Sequence, residues 1–265
     1  MDYAREFAGF FDRMADAAGH IALKYFRTDL AIDEKDDHSP VTRADREIEA
    51  KLREIICAEY PAHGIVGEEY GCEKENAEFV WYIDPIDGTK SFAIGRPLFG
   101  TIIGLTHAGR PVAGLVDQAF TKERWFGIAG ASTTHNCRRV KVAAPRNLAA
   151  ARLYVGAPST FREKKCFAAY EAMCQKAKWT QFSGDCYAYG LLASGWIDLV
   201  IECDLKAHDV VGIVPIILGA GGIISDWNGR DVDAKTDGTV VAASSKELAM
   251  QALDVLLRDP DVSHA

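Results

Sequence analysis

The segment WYIDPIDGTKSF, residues 81 to 92, is the strongest constraint this sequence places on its own fold. An apolar run ends in Asp84, and Pro85 and Ile86 separate it from Asp87, Gly88 and Thr89. Proline fixes its own φ, so the turn is stiff. Two carboxylates three residues apart on such a turn can face one cavity, with the carbonyl of Ile86 between them. Gly88 and Thr89 then present backbone N–H groups, and TKSF can open a short helical turn, the kind of start that cradles an anion. Asp, Pro and Gly are also common turn formers, so these residues taken alone read equally well as a surface turn.

The rest of the chain shows what could surround that turn. Residues 3 to 26 carry Phe7, Phe10, Met14, Ala17, Ala18, Ile21 and Tyr25 at helical spacing. Residues 27 to 41 are polar, contain Pro40 and read as a loop. Thr42 is a good N-cap for a helix over 43 to 58 with a stripe of Ile48, Leu52, Ile55 and Ile56, and Asp45 falls in its first turn. From Ile65 the pattern is strand-like, through EFVWYID, GTIIGLTHAGRPVAGLVDQ and KERWFGIA, with HAGRP as a hairpin turn. Beyond about residue 145, strand-like and helix-like segments alternate, including helices over 159 to 178, over HDVVGIVPIILGAGG and over 245 to 258. Pro215 should kink the second of these or mark a loose first turn. The fold expected is α/β, with an α+β first half (1–145, antiparallel sheet and metal-binding turn) and an α/β second half (146–265) completing the site.

At 265 residues and 48% hydrophobic, the chain can build a sizeable core. It has no apolar run of about 18 residues, so no membrane span is expected. Its opening MDYAREFAGF lacks the apolar stretch of a leader, and its seven cysteines include no C-x-x-C pair, which points to a reducing cytoplasm rather than a disulfide or zinc scaffold. A net charge of −8 argues against a nucleic-acid surface. It also means that an anionic substrate can be held only by recruited cations or focused backbone dipoles.

The acids that could recruit cations sit at element ends. Asp84 and Asp87 follow a strand, Glu68 and Glu69 follow another, Asp209 stands at a helix start and Asp45 in a first turn. Each has a plain alternative: Asp209 as an N-cap, Thr42 and Asp45 as a capping pair, Glu68 and Glu69 as solvated charges. Their joint occurrence suggests hard oxygen ligation, which suits Mg²⁺ or Mn²⁺.

GEEYG, DPIDGTKSF and HDVVGIVPIILGAGG resemble the three signature segments of the inositol monophosphatase-like, Mg²⁺-dependent phosphatases, and SPVTRADREIE resembles the family's N-terminal element. The resemblance runs from the first helix to the GTVVAAS strand. Within the family the chain is most similar to histidinol-phosphate phosphatases, through GRPLFGTIIGLTHAGRPVAGLVDQ, SGDCYAYGLLASGWIDLVIE and DLKAHD. Where the family usually carries Trp before its last aspartate, this chain has His208. The resemblance implies a layered αβαβα sandwich of the inositol monophosphatase/fructose-1,6-bisphosphatase type, usually a homodimer. It places Glu68, Asp84 and the carbonyl of Ile86 on one metal, Asp84, Asp87 and Asp209 on a second, and Asp45 with Glu68 near a weaker third. It gives the backbone of Gly88 and Thr89 to the phosphate, and sets the Thr89 hydroxyl with Glu68 to orient the attacking water, Asp87 being part of the same catalytic set.

Such a site would hydrolyse a small phosphate monoester through Mg²⁺, with Mn²⁺ as the alternative and no covalent intermediate. Family positions matching Asp185 and Glu202 face the leaving group, and Asp204 lies close by in sequence. Acids there suit a cationic organic moiety, so L-histidinol phosphate is the expected substrate. Inositol-1-phosphate or another small sugar phosphate is the alternative, and a non-catalytic metal- or anion-binding regulator is the remote one. Asp185 also reads as a helix N-terminal carboxylate, and Glu202 and Asp204 as strand-end charges. Tyr187 and Tyr189 read as pocket lining or core, His208 as leaving-group assistant or packed residue, and Lys90 and Arg96 as phosphate contacts or surface.

Overall fold

The computed structural model describes residues 3–29, 32–34, 40–144, 146–164 and 166–257. Helix α1 (Tyr3–Tyr25) turns Phe7, Phe10, Phe11, Met14 and Ala18 inward, as their spacing requires. The expected loop before the second helix contains a short antiparallel ribbon, β1 (Ile32–Glu34) with β2 (Pro40–Thr42); residues 30, 31 and 35–39 of it lie outside the described residues. Helix α2 (Arg43–Glu59) begins at Thr42 with a full capping box, in which Asp45 accepts the Thr42 N–H at 2.8 Å and Ala44 N–H donates to the Thr42 hydroxyl at 3.1 Å.

The first sheet has eight strands: β3 (Gly64–Gly67), β4 (Gly71–Glu73), β5 (Phe79–Asp87), β6 (Gly100–His107), β7 (Arg110–Gln118), β8 (Glu123–Ile128), β9 (Thr134–His135) and β10 (Arg138–Arg139), in the order β10-β9-β8-β7-β6-β5-β3-β4. It is mixed rather than wholly antiparallel, because β3 and β5 run parallel with Gly67 opposite Ile83. The short helix α3 (Thr89–Ala93) follows the Asp84–Thr89 turn.

A 3₁₀ turn (Leu148–Ala150) leads to the second sheet, of five strands: β11 (Arg152–Val155), β12 (Trp179–Phe182), β13 (Leu199–Glu202), β14 (Ile223–Ser225) and β15 (Val240–Ala243), ordered β12-β11-β13-β15-β14. Its helices are α4 (Pro158–Glu163), α5 (Phe167–Lys176), α6 (Asp185–Ala193), α7 (Ala207–Val210), α8 (Ile213–Gly219) and α9 (Lys246–Leu256). The single helix expected over 159 to 178 is thus two. Phe161 and Tyr170 are both buried and in contact, yet nine residues apart they would lie on roughly opposite sides of a straight helix. The helix expected over HDVVGIVPIILGAGG is also two, with Pro215 in the first turn of α8, where a missing N–H costs no hydrogen bond.

Three large apolar cores stack the layers, beside a small fourth cluster of Val80, Tyr82 and Val211. α1 and α2 close one face of the large sheet around Trp81 and Ile103. Residues of α6 and α8 fill the space between the sheets with Ile102, Val116 and Trp125 on one side and Val200 and Ala242 on the other. α5 and α9 cover the outer face of the small sheet around Leu199 and Val241. The result is the αβαβα sandwich that the resemblance implied. Gly104, Gly114 and Gly127 stand opposite one another across β6, β7 and β8. A Cβ on Gly104 would lie 2.7 Å from the Gly212 nitrogen, and one on Gly114 or Gly127 would strike the backbone of Gly212 or of Pro215 and Ile216. The α7–α8 backbone therefore seats directly on a trough in the sheet, and this brings Asp209 beside the end of β5.

Candidate active site

The buried strand β5 delivers Asp84 into the protein at 2% exposure, and the chain then leaves the ladder at a register shift between Asp84 and Asp87. Thr101 holds the turn by donating to the Pro85 carbonyl at 2.8 Å. Carboxylate oxygens of Asp84, Asp87 and Asp209 all come within 4.8 Å of one another. The Asp84 Oδ1 atom is buried and accepts no hydrogen bond among the described residues. Burial, then Glu68, Asp87 and Asp209, push the Asp84 carboxyl well above the usual range. Burial, then Asp185 and Asp209, do the same for Asp87, although Cys186 N–H donates to its carboxylate. Asp209 is raised by burial while His208, 3.4 Å away, and the Lys206 N–H at 2.6 Å oppose the shift. A cluster of acids crowded until they resist ionising fits a hard divalent cation, which would restore the charged forms.

The neighbouring sequence candidates join this cluster. Glu68 follows β3 and its N–H donates to the Ile83 carbonyl at 3.2 Å, which holds it beside Asp84. Asp45 is buried at 1% exposure, and its carboxyl is pushed up to about 6 by burial, with Glu69 and Glu68 adding to the rise and Thr42 opposing it. The Thr89 hydroxyl donates to the Ile86 carbonyl at 3.0 Å and reaches Asp45 Oδ1 at 3.5 Å. Gly88 has φ 81°, and a Cβ there would lie 2.7 Å from Asp185 Oδ2, so glycine is required on both counts.

A cavity of about 430 Å³ opens above the cluster, with Glu68, Asp87, Thr89 and Asp209 at its base. Lys90, Arg96, Asp185, Glu202 and Asp204 also line it, and the charges of Arg96 and Lys90 act on Asp185, opposing the rise that burial gives its carboxyl. Asp185 adopts φ 47° at the start of α6 and accepts from the Ser91 hydroxyl at 3.3 Å. Glu202 is pushed up to about 8 by burial, against a hydrogen bond from Tyr189 of 2.7 Å. Asp204 is the most exposed of the three and pairs with Lys164 at 2.6 Å. Tyr187 donates to Glu123 at 2.7 Å and packs on Trp125, away from the cavity lining.

A family model described as the inositol monophosphatase family matches residues 4–257. The chain belongs to the inositol monophosphatase family. Among curated relatives, it is 44% identical over 259 residues to the bifunctional phosphatase IMPL2, chloroplastic, of Arabidopsis thaliana, an alignment spanning 94% of this chain and 75% of the relative. It is 31% identical to a histidinol-phosphatase of Chlorobaculum parvum, over 86% of this chain and 89% of that one. A solved inositol monophosphatase from Zymomonas mobilis superposes with a TM-score of 0.88 at 38% identity, covering 97% of this chain and 99% of the other. No helix among the described residues is long and apolar enough to cross a membrane.

Some residues that shape this site carried no sequence signal. Cys186 contributes a backbone amide, which any residue possesses. Gly104, Gly114 and Gly127 sit inside strands, where glycine spacing marks no motif. Glu49 and Arg53 lie in α2, whose sequence points to the cap at Thr42, to Asp45 and to an apolar stripe; their one signal is the four-residue spacing from Asp45.

Proposed function

We propose that this chain is a Mg²⁺-dependent phosphomonoesterase that hydrolyses L-histidinol phosphate to L-histidinol and phosphate. The observation that carries the reading is the convergence of Asp84, Asp87 and Asp209 beside the Gly88–Thr89 turn. Asp84, Asp87 and Asp209, with Glu68, Asp45 and the Ile86 carbonyl, would hold the ions. Divalent ions there would neutralise the phosphoryl oxygens and acidify water at the site. The amides of Gly88 and Thr89 hold the phosphate, and Lys90 and Arg96 add positive charge at the cavity wall. The Thr89 hydroxyl, its own proton engaged with the Ile86 carbonyl, keeps its lone pairs for orienting the attacking water, with Glu68 as partner.

The wall formed by Asp185, Glu202 and Asp204 selects the organic half of the substrate. Glu202 ionises reluctantly in this cavity, and an ammonium group placed against it would favour its charged form. Inositol offers no such charge. A curated relative from Chlorobaculum parvum is named a histidinol-phosphatase, which supports a histidinol phosphate substrate. The same reading makes the enzyme a cytoplasmic homodimer. Steady-state rates with the two phosphates decide the substrate: kcat/KM should favour histidinol phosphate over inositol-1-phosphate by about tenfold or more. A tenfold preference the other way would end the acidic-wall argument and leave an inositol phosphate phosphatase.

A further inference from the structure

We infer that Glu49 is a positioning residue, which together with Arg53 clamps the turn after β3 and so fixes Glu68 against the acidic cluster. The inference rests on the reading of that cluster as a metal site. Asp45, Glu49 and Arg53 lie four residues apart along one side of α2, at 1%, 0% and 9% exposure. Asp45 reaches toward Thr89, while Glu49 and Arg53 reach toward the β3–β4 turn. Glu49 Oε2 accepts the Glu69 N–H at 2.6 Å, and Oε1 accepts the Tyr70 N–H at 3.1 Å. Arg53 Nε donates to Glu49 Oε1 at 2.8 Å, and its far nitrogens reach the Gly71 carbonyl and, at 3.4 Å, Glu73. The three residues that follow Glu68 are therefore all pinned by one helix. On the other side Glu68 is held by its own N–H on Ile83 of β5. Immediately before it, a Cβ on Gly67 would run into the Glu49 carboxylate, so that carboxylate lies directly against the strand.

The chemistry requires a carboxylate at this place. Both oxygens of Glu49 accept a backbone N–H, and one also accepts from Arg53. Glutamine has one oxygen and one NH₂, so it must set an N–H donor against another donor inside the protein. The turn would then have to move, and Glu68 with it. Groups that orient metal ligands without touching the metal typically contribute about 10- to 100-fold in affinity.

The test is Mn²⁺ binding to substrate-free protein, followed by loss of the free-ion electron paramagnetic resonance signal, together with Mg²⁺ activation using p-nitrophenyl phosphate. Glu49→Gln should raise the Mn²⁺ Kd and the half-saturating Mg²⁺ concentration together, by about 10- to 100-fold. Its kcat should recover at saturating Mg²⁺, which a general loss of structure would not allow. Arg53→Lys keeps a cation beside Glu49 but cannot also bridge to Gly71, and should shift both quantities in the same direction by less. It carries the test if Glu49→Gln does not fold. Unchanged Mn²⁺ affinity in the folded variant, or a kcat that stays low at saturating metal, overturns the assignment. Wild-type protein that binds no Mn²⁺ overturns the metal-site reading and this inference with it; wild-type binding that the variants match overturns the inference alone.

Discussion

Asp87 shows how a single residue is made unfavourable by its surroundings and useful for the same reason. Its side chain faces the cavity, where burial, Asp185 and Asp209 all disfavour its charge. Asparagine has similar size and keeps an oxygen for the Cys186 N–H, but removes the charge that an ion would need. Asp87→Asn should lower turnover by about a hundredfold or more at saturating Mg²⁺. The same change should raise the melting temperature in EDTA, because one repelled carboxylate is gone. Phosphate release and a thermal melt check both halves, and a variant that kept most of the wild-type rate would remove Asp87 from the catalytic set. Asp84 and Asp87 were legible in the sequence because Pro85 fixes their geometry locally. The left-handed backbone of Asp185 was not, and the residues its carboxylate meets, Gly88 and Ser91, lie far away in the chain, Ser91 by 94 residues.

Whole elements are aligned by residues that have no side chain at all. The α7–α8 segment brings Asp209 to the site only because Gly104, Gly114 and Gly127 let its backbone lie on the sheet. Gly114→Ala would force a methyl group into Gly212 and should destabilise the protein by about 1–3 kcal/mol. Because α7 carries Asp209, the variant should also need more Mg²⁺ for half-maximal activity. A melt and a Mg²⁺ titration measure the two effects, and a Gly114→Ala protein with wild-type values for both would show that the trough does not set the helix position. The start of α2 was readable from Thr42 and Asp45, since a capping box is local. The splits between α4 and α5 and between α7 and α8 were not, because they serve contacts with Tyr170 and with the sheet.

The molecule as a whole carries a charge of −8 and gathers part of it around one cavity. This fixes the sign of its pH dependence. Burial raises Asp45 from 3.8 to about 6 and Glu202 from 4.5 to about 8. Groups raised on folding contribute stability that is complete below their unfolded values and is lost as the pH rises through the folded ones. Between about pH 4 and 8, the span from their unfolded to their folded values, the metal-free protein should therefore melt at progressively lower temperature. Saturating Mg²⁺ should raise the melting temperature across that range and most at the alkaline end, where more carboxylates are charged. Melting curves in EDTA and in Mg²⁺ test this; a metal-free protein that gains stability with pH, or shows no shift with Mg²⁺, contradicts it. Below that window the sign is mixed, since Asp198, held low by hydrogen bonds from Arg152 against its burial, loses its contribution on acidification.

Features that depend on near neighbours were written in the chain: the helical and strand periods, the cap at Thr42, the stiff carboxylate turn and the segments that identify the family. It took the packed molecule to show that β3 runs parallel to β5, that three strand glycines receive a helix backbone, and that Glu49 and Arg53 hold the turn beyond Glu68. Local rules act over a few residues through fixed torsions and hydrogen bonds. The others join residues far apart in the chain, whose meeting is set by which faces can be buried together, and one residue's neighbours in sequence do not record that.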